Sequence, residues 1–213
     1  YTTTSASGLS VFTAELNGAK PSKIYSNSLK DWLIFTPNDS LGYLLSKSSG
    51  KAPSYVFSLN LKNGAISQVL SNYYGLSILP NKSGTLLLLS STALNEPRLS
   101  IYDVNKSTLT PVSLKTFSDK CAWSDTNEEK IICAVPRSFP TGVYPYSWYQ
   151  GKVRFTDNIW EIDSSNGQTK ELVNLYDNSF FFDVSEIALS DKDRFVLIKN
   201  KTTGTIWSIR LKE

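Results

Sequence analysis

Apolar residues return along the chain in two kinds of stretch. The first runs aliphatic, aromatic, polar, then usually aliphatic. It reads Val11-Phe12-Thr13-Ala14 (with Ala in the last place), Val56-Phe57-Ser58-Leu59, Ile101-Tyr102-Asp103-Val104, Ile159-Trp160-Glu161-Ile162 and Ile206-Trp207-Ser208-Ile209. The aromatics are spaced 45, 45, 58 and 47 residues apart. Alternation with period two predicts a strand with two distinct faces at each site. Two of these strands lead into Asn60-Leu61-Lys62-Asn63-Gly64 and Asp163-Ser164-Ser165-Asn166-Gly167. Both end in Asn-Gly, a strong hairpin signal.

The second kind is a short apolar run, a polar turn, then another apolar run. Trp32 to Phe35 passes through Thr36-Pro37-Asn38-Asp39-Ser40 into Tyr43-Leu44-Leu45. Leu76 to Leu79 passes through Pro80-Asn81-Lys82-Ser83-Gly84 into Leu86 to Leu89. Cys121-Ala122-Trp123 leads to Ile131-Ile132-Cys133-Ala134, and Ile187-Ala188-Leu189 to Phe195 through Ile198. Such runs suit strands buried on both faces. Each unit therefore predicts four strands in about 45 residues, with no helix of ten or more residues between them. Radial repetition of four-stranded antiparallel sheets is the all-β propeller, and about four to five blades fit this chain.

The turn stretches resemble degenerate copies of the Ser-Pro-Asp-Gly turn of TolB-like propeller repeats. Ile159-Trp160-Glu161-Ile162-Asp163 with Asn166-Gly167 is similar to the third-strand motif of those repeats. The resemblance covers nearly the whole chain and implies a fold, not a function. The full Ser-Pro-Asp-Gly string is never present, and the Gly-His and Trp-Asp signatures of WD repeats are absent. A further resemblance, to uncharacterised envelope propeller proteins of very small bacteria, implies no known activity.

The units divide as outer strands of a partial blade over 1–26, blades over 27–71 and 72–115, a blade with an insertion at 135–156 over 116–175, and a last blade over 176–213. On this division the N-terminal piece offers one strand too many to complete the last blade. The expectation is therefore the C-terminal part of a larger ring of about six to eight blades. A compact ring of about five blades with irregular closure is the alternative. The chain opens on Tyr1, which fits a processed or excised piece.

Composition narrows the chemistry. The 213 residues carry a net charge of +3, too little to argue for nucleic acid or an anionic membrane. There is no His, so neither a Ser-His-Asp nor a Cys-His nucleophile system can be assembled within this chain. No apolar run approaches the roughly 20 residues of a spanning helix. Asp191-Lys192-Asp193 and Asn38-Asp39 read as turn formers rather than calcium ligands. Glu128 with Glu129, and Asp183 with Glu186, read as neighbours on surface turns rather than catalytic pairs. No cofactor and no metal are expected.

Cys121 and Cys133 flank the inner hairpin of one blade. In one register they lie directly opposite, as do Trp123 and Ile131, which predicts a disulfide and an oxidising compartment. Two buried thiols packed as small hydrophobes are the alternative.

The insertion is the most unusual segment. Arg137, Phe139, Tyr144, Tyr146, Trp148, Tyr149, Lys152 and Arg154 concentrate there, on a loop expected at the mouth of the channel. Tyr, Trp and Arg on a rigid scaffold are what recognition hot spots are made of. The competing expectation is that the loop folds back and plugs the channel, its aromatics used as packing. The functional expectation is a non-catalytic, extracytoplasmic scaffold for a protein or glycan partner, with no nucleic acid and no membrane insertion in this segment, though an anchor upstream in the parent chain fits. The alternative is the propeller portion of a prolyl-oligopeptidase-like hydrolase whose catalytic domain lies outside this chain.

Overall fold

The computed structural model of the chain describes residues 1–47, 52–176 and 181–211. Among them the two apolar patterns fall on antiparallel strands of five separate sheets, each ordered as in the chain. The first holds β1 (Thr2–Ser5), β2 (Gly8–Thr13) and β3 (Ser22–Asn27). The second holds β4 (Trp32–Phe35), β5 (Leu41–Ser46), β6 (Pro53–Asn60) and β7 (Ile66–Tyr74). The third holds β8 (Ser77–Pro80), β9 (Leu86–Ala93), β10 (Glu96–Asp103) and β11 (Thr108–Val112). The fourth holds β12 (Cys121–Trp123), β13 (Lys130–Pro136), β14 (Asp157–Asp163) and β15 (Thr169–Val173), and the fifth β16 (Val184–Leu189), β17 (Phe195–Asn200) and β18 (Ile206–Arg210).

Adjacent residues on the second strands are buried in different places. Leu44 of β5 joins Leu9 and Val11 of the first sheet, while Tyr43 and Leu45 pack with Ile78 of the third and with Leu76 just before it. Leu87 and Leu89 of β9 face back to the second sheet, and Leu88 between them packs with Ile131 and Cys133 of the fourth. Ile131 and Cys133 of β13 face the third sheet, and Ile132 and Ala134 face the fifth. A strand sends successive side chains to opposite faces, so an unbroken apolar run serves two interfaces at once. Each Leu buried this way contributes on the order of 1.5–3 kcal/mol. Blades stacked face to face through such strands make the chain a β-propeller.

The turns are fixed by local chemistry. Asn60, Asp103 and Asp163 end the third strands of the middle sheets, and their Oδ1 atoms accept the N–H two residues on at 2.9, 3.0 and 3.0 Å. The same device recurs at Asn200, whose Oδ1 accepts the Thr202 N–H at 3.0 Å. The chain then needs a left-handed residue, supplied by Gly64 (φ +74), Ser107 (φ 53), Gly167 (φ +73) and Gly204 (φ +72). At Gly64 there is no room for a side chain: a Cβ would lie 1.9 Å from the Ile24 carbonyl oxygen of the first sheet.

The structure departs from expectation at the two end sheets. The first has three strands rather than two, because β1 is entirely exposed and polar and offers no apolar signal. Strands of the apolar runs are not all buried on both faces. In β17, Val196 and Ile198 are buried on the fourth sheet, while Leu197 between them is 38% exposed. In β4, Leu33 is 52% exposed. The recurring aromatics Phe57, Tyr102 and Trp160 do pack at the interface with the preceding sheet. Phe12 instead stacks on Tyr1, and Trp207 lies half-exposed against Phe182. Asp183, read as a surface-turn residue, is buried. Lys212 and Glu213 lie outside the described residues.

Cys121 and Cys133 are opposed partners in the β12–β13 ladder and form a disulfide within the interface between the third and fourth sheets. Neither thiol is expected to react with an alkylating reagent in the denatured, unreduced chain, and two are expected after reduction. Reduction should cost about 2–3 kcal/mol through the lost loop constraint, read as a lower urea midpoint. Two reactive thiols before reduction would contradict the bridge.

Candidate functional site

The inserted segment leaves β13 at Pro136 and returns at Asp157, the first residue of β14. Between them it turns inward. Phe139, Tyr144, Trp148 and Phe155 close around Phe117, which precedes β12. Phe117 stacks on Trp148 with centroids 5.3 Å apart and lies 6.1 and 6.2 Å from Tyr144 and Phe155. Tyr144 and Trp148 are each 2% exposed. The segment carries one helical turn, α1 (Tyr146–Tyr149), entered from Pro145. Ser147 pins it: its hydroxyl accepts the Val143 N–H at 2.9 Å and its carbonyl accepts the Lys152 N–H at 2.8 Å.

The contacts place this plug over the ends of the innermost strands. Phe117, Asp183 and Gly75 all lie on connections that run from one sheet into the next sheet's first strand. Thr92 donates its hydroxyl to the Tyr144 carbonyl at 3.1 Å. Gly75 (φ +59) lets the segment approach, since a Cβ there would lie 2.5 Å from Thr92 Oγ1 and 2.9 Å from Pro145 Cδ.

Beneath the aromatics is a buried charged hub. The 3-10 turn Ser118–Lys120 carries Lys120 fully inside, with its ammonium 2.7 Å from Asp157 Oδ2 and 3.4 Å from Asp183 Oδ1. The Trp148 indole N–H donates to Asp183 Oδ1 at 2.8 Å. Lys120 Nζ also sits 4.9 and 4.7 Å from the Trp148 and Phe155 ring centroids, and Lys201 Nζ 4.0 Å from the Trp148 ring. Lys201 donates from its Nζ to the Trp148 carbonyl. Burial holds the Asp157 carboxyl above the usual carboxylate range against the opposing pull of Lys120. Burial likewise lowers the Lys201 ammonium, with Asp183 acting against it. Two cations and two carboxylates balance here, an arrangement suited to an ion-pair hub rather than to a metal.

Outside the plug the same segment presents a polar rim. Arg137, Tyr149, Lys152 and Arg154 are exposed and Tyr146 is half-buried. Arg137 lies over the Tyr176 ring at 4.3 Å. Tyr149 donates its hydroxyl to Asp119 Oδ2. Asp119 is exposed by area, yet protein atoms crowd its carboxyl and the loss of water raises it, while hydrogen bonds from Tyr149 and Ser77 act the other way. Burial and then the Asp119 charge push the Tyr149 hydroxyl up. Beside the rim, a groove of about 400 Å³ runs between Tyr146 and the second sheet, lined by Leu29, Lys30, Trp32, Lys47 and Tyr55 among others. The Trp32 indole N–H is buried with no hydrogen-bond partner among the described residues.

The structure thus divides the eight residues of the sequence expectation. Phe139, Tyr144 and Trp148 pack on Phe117, whereas Arg137, Tyr149, Lys152 and Arg154 are exposed and Tyr146 is half-buried. The hub of Lys120, Asp157, Asp183 and Lys201 went unnoticed in the sequence, where single charges beside turns carry no sign of burial.

Elsewhere the polar turns stitch blades together. Asp193 accepts the Ser124 hydroxyl at 2.5 Å and the Thr126 hydroxyl, joining the fifth sheet to the fourth. Asn38 Oδ1 accepts N–H groups of its own turn. Among the described residues no three His, Cys, Asp or Glu side chains gather to hold a metal ion.

Similarity to known proteins lies in the fold. No protein-family model matches the chain, and no curated protein matches it by sequence. Solved structures do. Hydrazine synthase of Kuenenia stuttgartiensis aligns over 99% of this chain and 60% of its own, at 14% identity and a TM-score of 0.65. The β-propeller domain of the trilobed protease of Pyrococcus furiosus, described as having an open velcro topology, aligns over 96% of this chain and 62% of its own, at 12% identity and 0.59. Acylaminoacyl peptidase of Pyrococcus horikoshii aligns over 96% of this chain and 34% of its own, at 11% identity and 0.59. The chain spans about three fifths of the first two.

Proposed function

We infer that this chain is a non-catalytic propeller scaffold working outside the cytoplasm, and that it binds a protein or glycan partner on the face closed by the plug. The observation that carries this reading is the division of one segment into an aromatic underside and a rim of Tyr146, Tyr149, Lys152 and Arg154. A rigid base under exposed Tyr and Arg lowers the ordering cost of recognition. The neighbouring groove is lined by Trp32, Tyr55 and Tyr146, aromatic residues of the kind that sugar rings and apolar side chains pack on. The disulfide fits an oxidising compartment. Among the described residues no helix is long and apolar enough to cross a membrane.

A propeller that gates a peptidase passes substrate along its axis. Here Trp148 and Phe155 pack on Phe117, and Trp148 bonds Asp183, both on connections into innermost strands, which favours a scaffold over a gate.

The test compares the wild-type chain with a Tyr146→Ala, Tyr149→Ala, Arg154→Ala triple variant. Both are applied to an oligosaccharide array and to proximity cross-linking in the cell envelope. The variant is expected to stay folded, with a melting temperature lowered by about a few degrees, and to lose binding by about tenfold or more. Equal binding by both proteins would move the site off this face.

A further inference from the structure

The buried pair beneath the plug has the geometry of a condensation site. Lys120 Nζ and Asp157 Oδ2 are 2.7 Å apart with both side chains fully buried. Oδ2 also accepts the Val184 backbone N–H at 2.7 Å, while Oδ1 is buried with no partner among the described residues. Asp183 stands beside them. Its Oδ1 is held by the Trp148 indole at 2.8 Å and lies 3.4 Å from Lys120 Nζ, and its Oδ2 has no partner among the described residues. The rings of Trp148 and Phe155 wall the amine side. We propose that Lys120 and Asp157 become joined by an intramolecular isopeptide bond from Nζ to Cγ, with Asp183 carrying the protons.

The step balances without any co-reactant. The Lys120 ammonium gives a proton to Asp183, which relays it to Oδ1 of the Asp157 carboxylate, and the free amine attacks Cγ of the carboxyl so neutralised. Val184 N–H steadies the charge that grows on Oδ2, as a backbone donor does in an oxyanion site. The second proton of the attacking nitrogen passes through Asp183 to the Oδ1 hydroxyl, the Cγ–Oδ1 bond breaks, and Oδ1 departs as water. One ammonium and one carboxylate become one amide and one water, and Asp183 ends as it began.

Three features favour the reaction here. The partners are held in contact by the fold, so their effective concentration far exceeds that of free groups. A buried ion pair carries a desolvation cost that the neutral amide does not, and burial already favours the protonated form of Asp157 that can lose water. The hub also stays balanced after the bond forms. Lys201, whose backbone N–H donates to the Asp183 carbonyl at 2.6 Å, remains as the countercharge for Asp183. The bond would lock the root of the plug, tying the turn before β12 to the first residue of β14.

The test is the intact mass of the full chain, purified folded, then denatured and reduced, together with tandem mass spectrometry of its peptides. The expected chain is lighter than its sequence by one water, and digestion yields a branched peptide joining residues 120 and 157. Lys120→Arg and Asp183→Asn should each carry the full sequence mass. Because the mass is read after denaturation, a destabilised variant still reports. A wild-type chain of full sequence mass would overturn the proposal, as would a water loss that maps to any other pair. A bond formed as completely in Asp183→Asn would overturn the role given to Asp183.

Discussion

Trp148→Ala is expected to lower the stability of the chain by about 3–5 kcal/mol, the usual cost of truncating a buried Trp. Its ring is 2% exposed, stacks on Phe117, and takes part in the cationic contacts of Lys120 and Lys201. Its indole N–H is a bond that Asp183 would lose, leaving a buried carboxylate short of another donor. Tyr149→Ala, one residue on, should cost about 1 kcal/mol or less, because that side chain is 44% exposed. Urea unfolding of the two variants checks the contrast. Similar losses for both, or no loss for Trp148→Ala, would mean that the segment is not packed as a plug.

Lys120→Met is the second large effect, again about 3–5 kcal/mol near pH 7: whether Lys120 meets Asp157 as an ion pair or is joined to it by the proposed bond, its loss leaves the buried Asp157 carboxyl alone, while Met replaces the stem of the side chain with similar volume. The loss should depend on pH in a defined direction. Burial raises the Asp157 carboxyl in the folded chain, and the positive charge of Lys120 is the strongest influence pulling it back down. Without Lys120 the folded carboxyl rises further above its unfolded value. The folded variant then binds a proton that the unfolded chain releases, so folding is favoured at low pH and that advantage is lost as pH rises through the raised value. Denaturation should therefore show a smaller deficit for Lys120→Met near pH 5 than near pH 7. A deficit equal at both would show that Asp157 carries no buried charge in the variant.

What the sequence made legible was what short-range chemistry determines. The strands β5, β9 and β13 could be read because their apolar runs lie between turn residues, and the turns because Asn60, Asp103 and Asp163 bond their own backbone. The cysteine pair could be read because antiparallel register is arithmetic: Cys121 and Cys133 oppose each other as Trp123 and Ile131 do. The strand β1 could not, since four exposed polar residues carry no periodic signal. The inward turn of Phe139, Tyr144 and Trp148 depends on Phe117 and Asp183, brought to one place by separate blades. Lys120 reads as a solvated turn residue until Asp157 and Asp183 are seen around it. A charge's burial is a property of distant partners, and one strand's pattern does not contain it.

The claim on which the rest is built is that successive side chains of one strand enter different interfaces. Methyl-to-methyl nuclear Overhauser contacts in a labelled chain test it directly. Leu87 should show contacts to Leu45 and Leu76 of one neighbouring group, and Leu88 to Ile131 and Ile101 of the other, without crossing over. Contacts from Leu87 and Leu88 to the same set of residues would contradict stacked blades and the plug built on them.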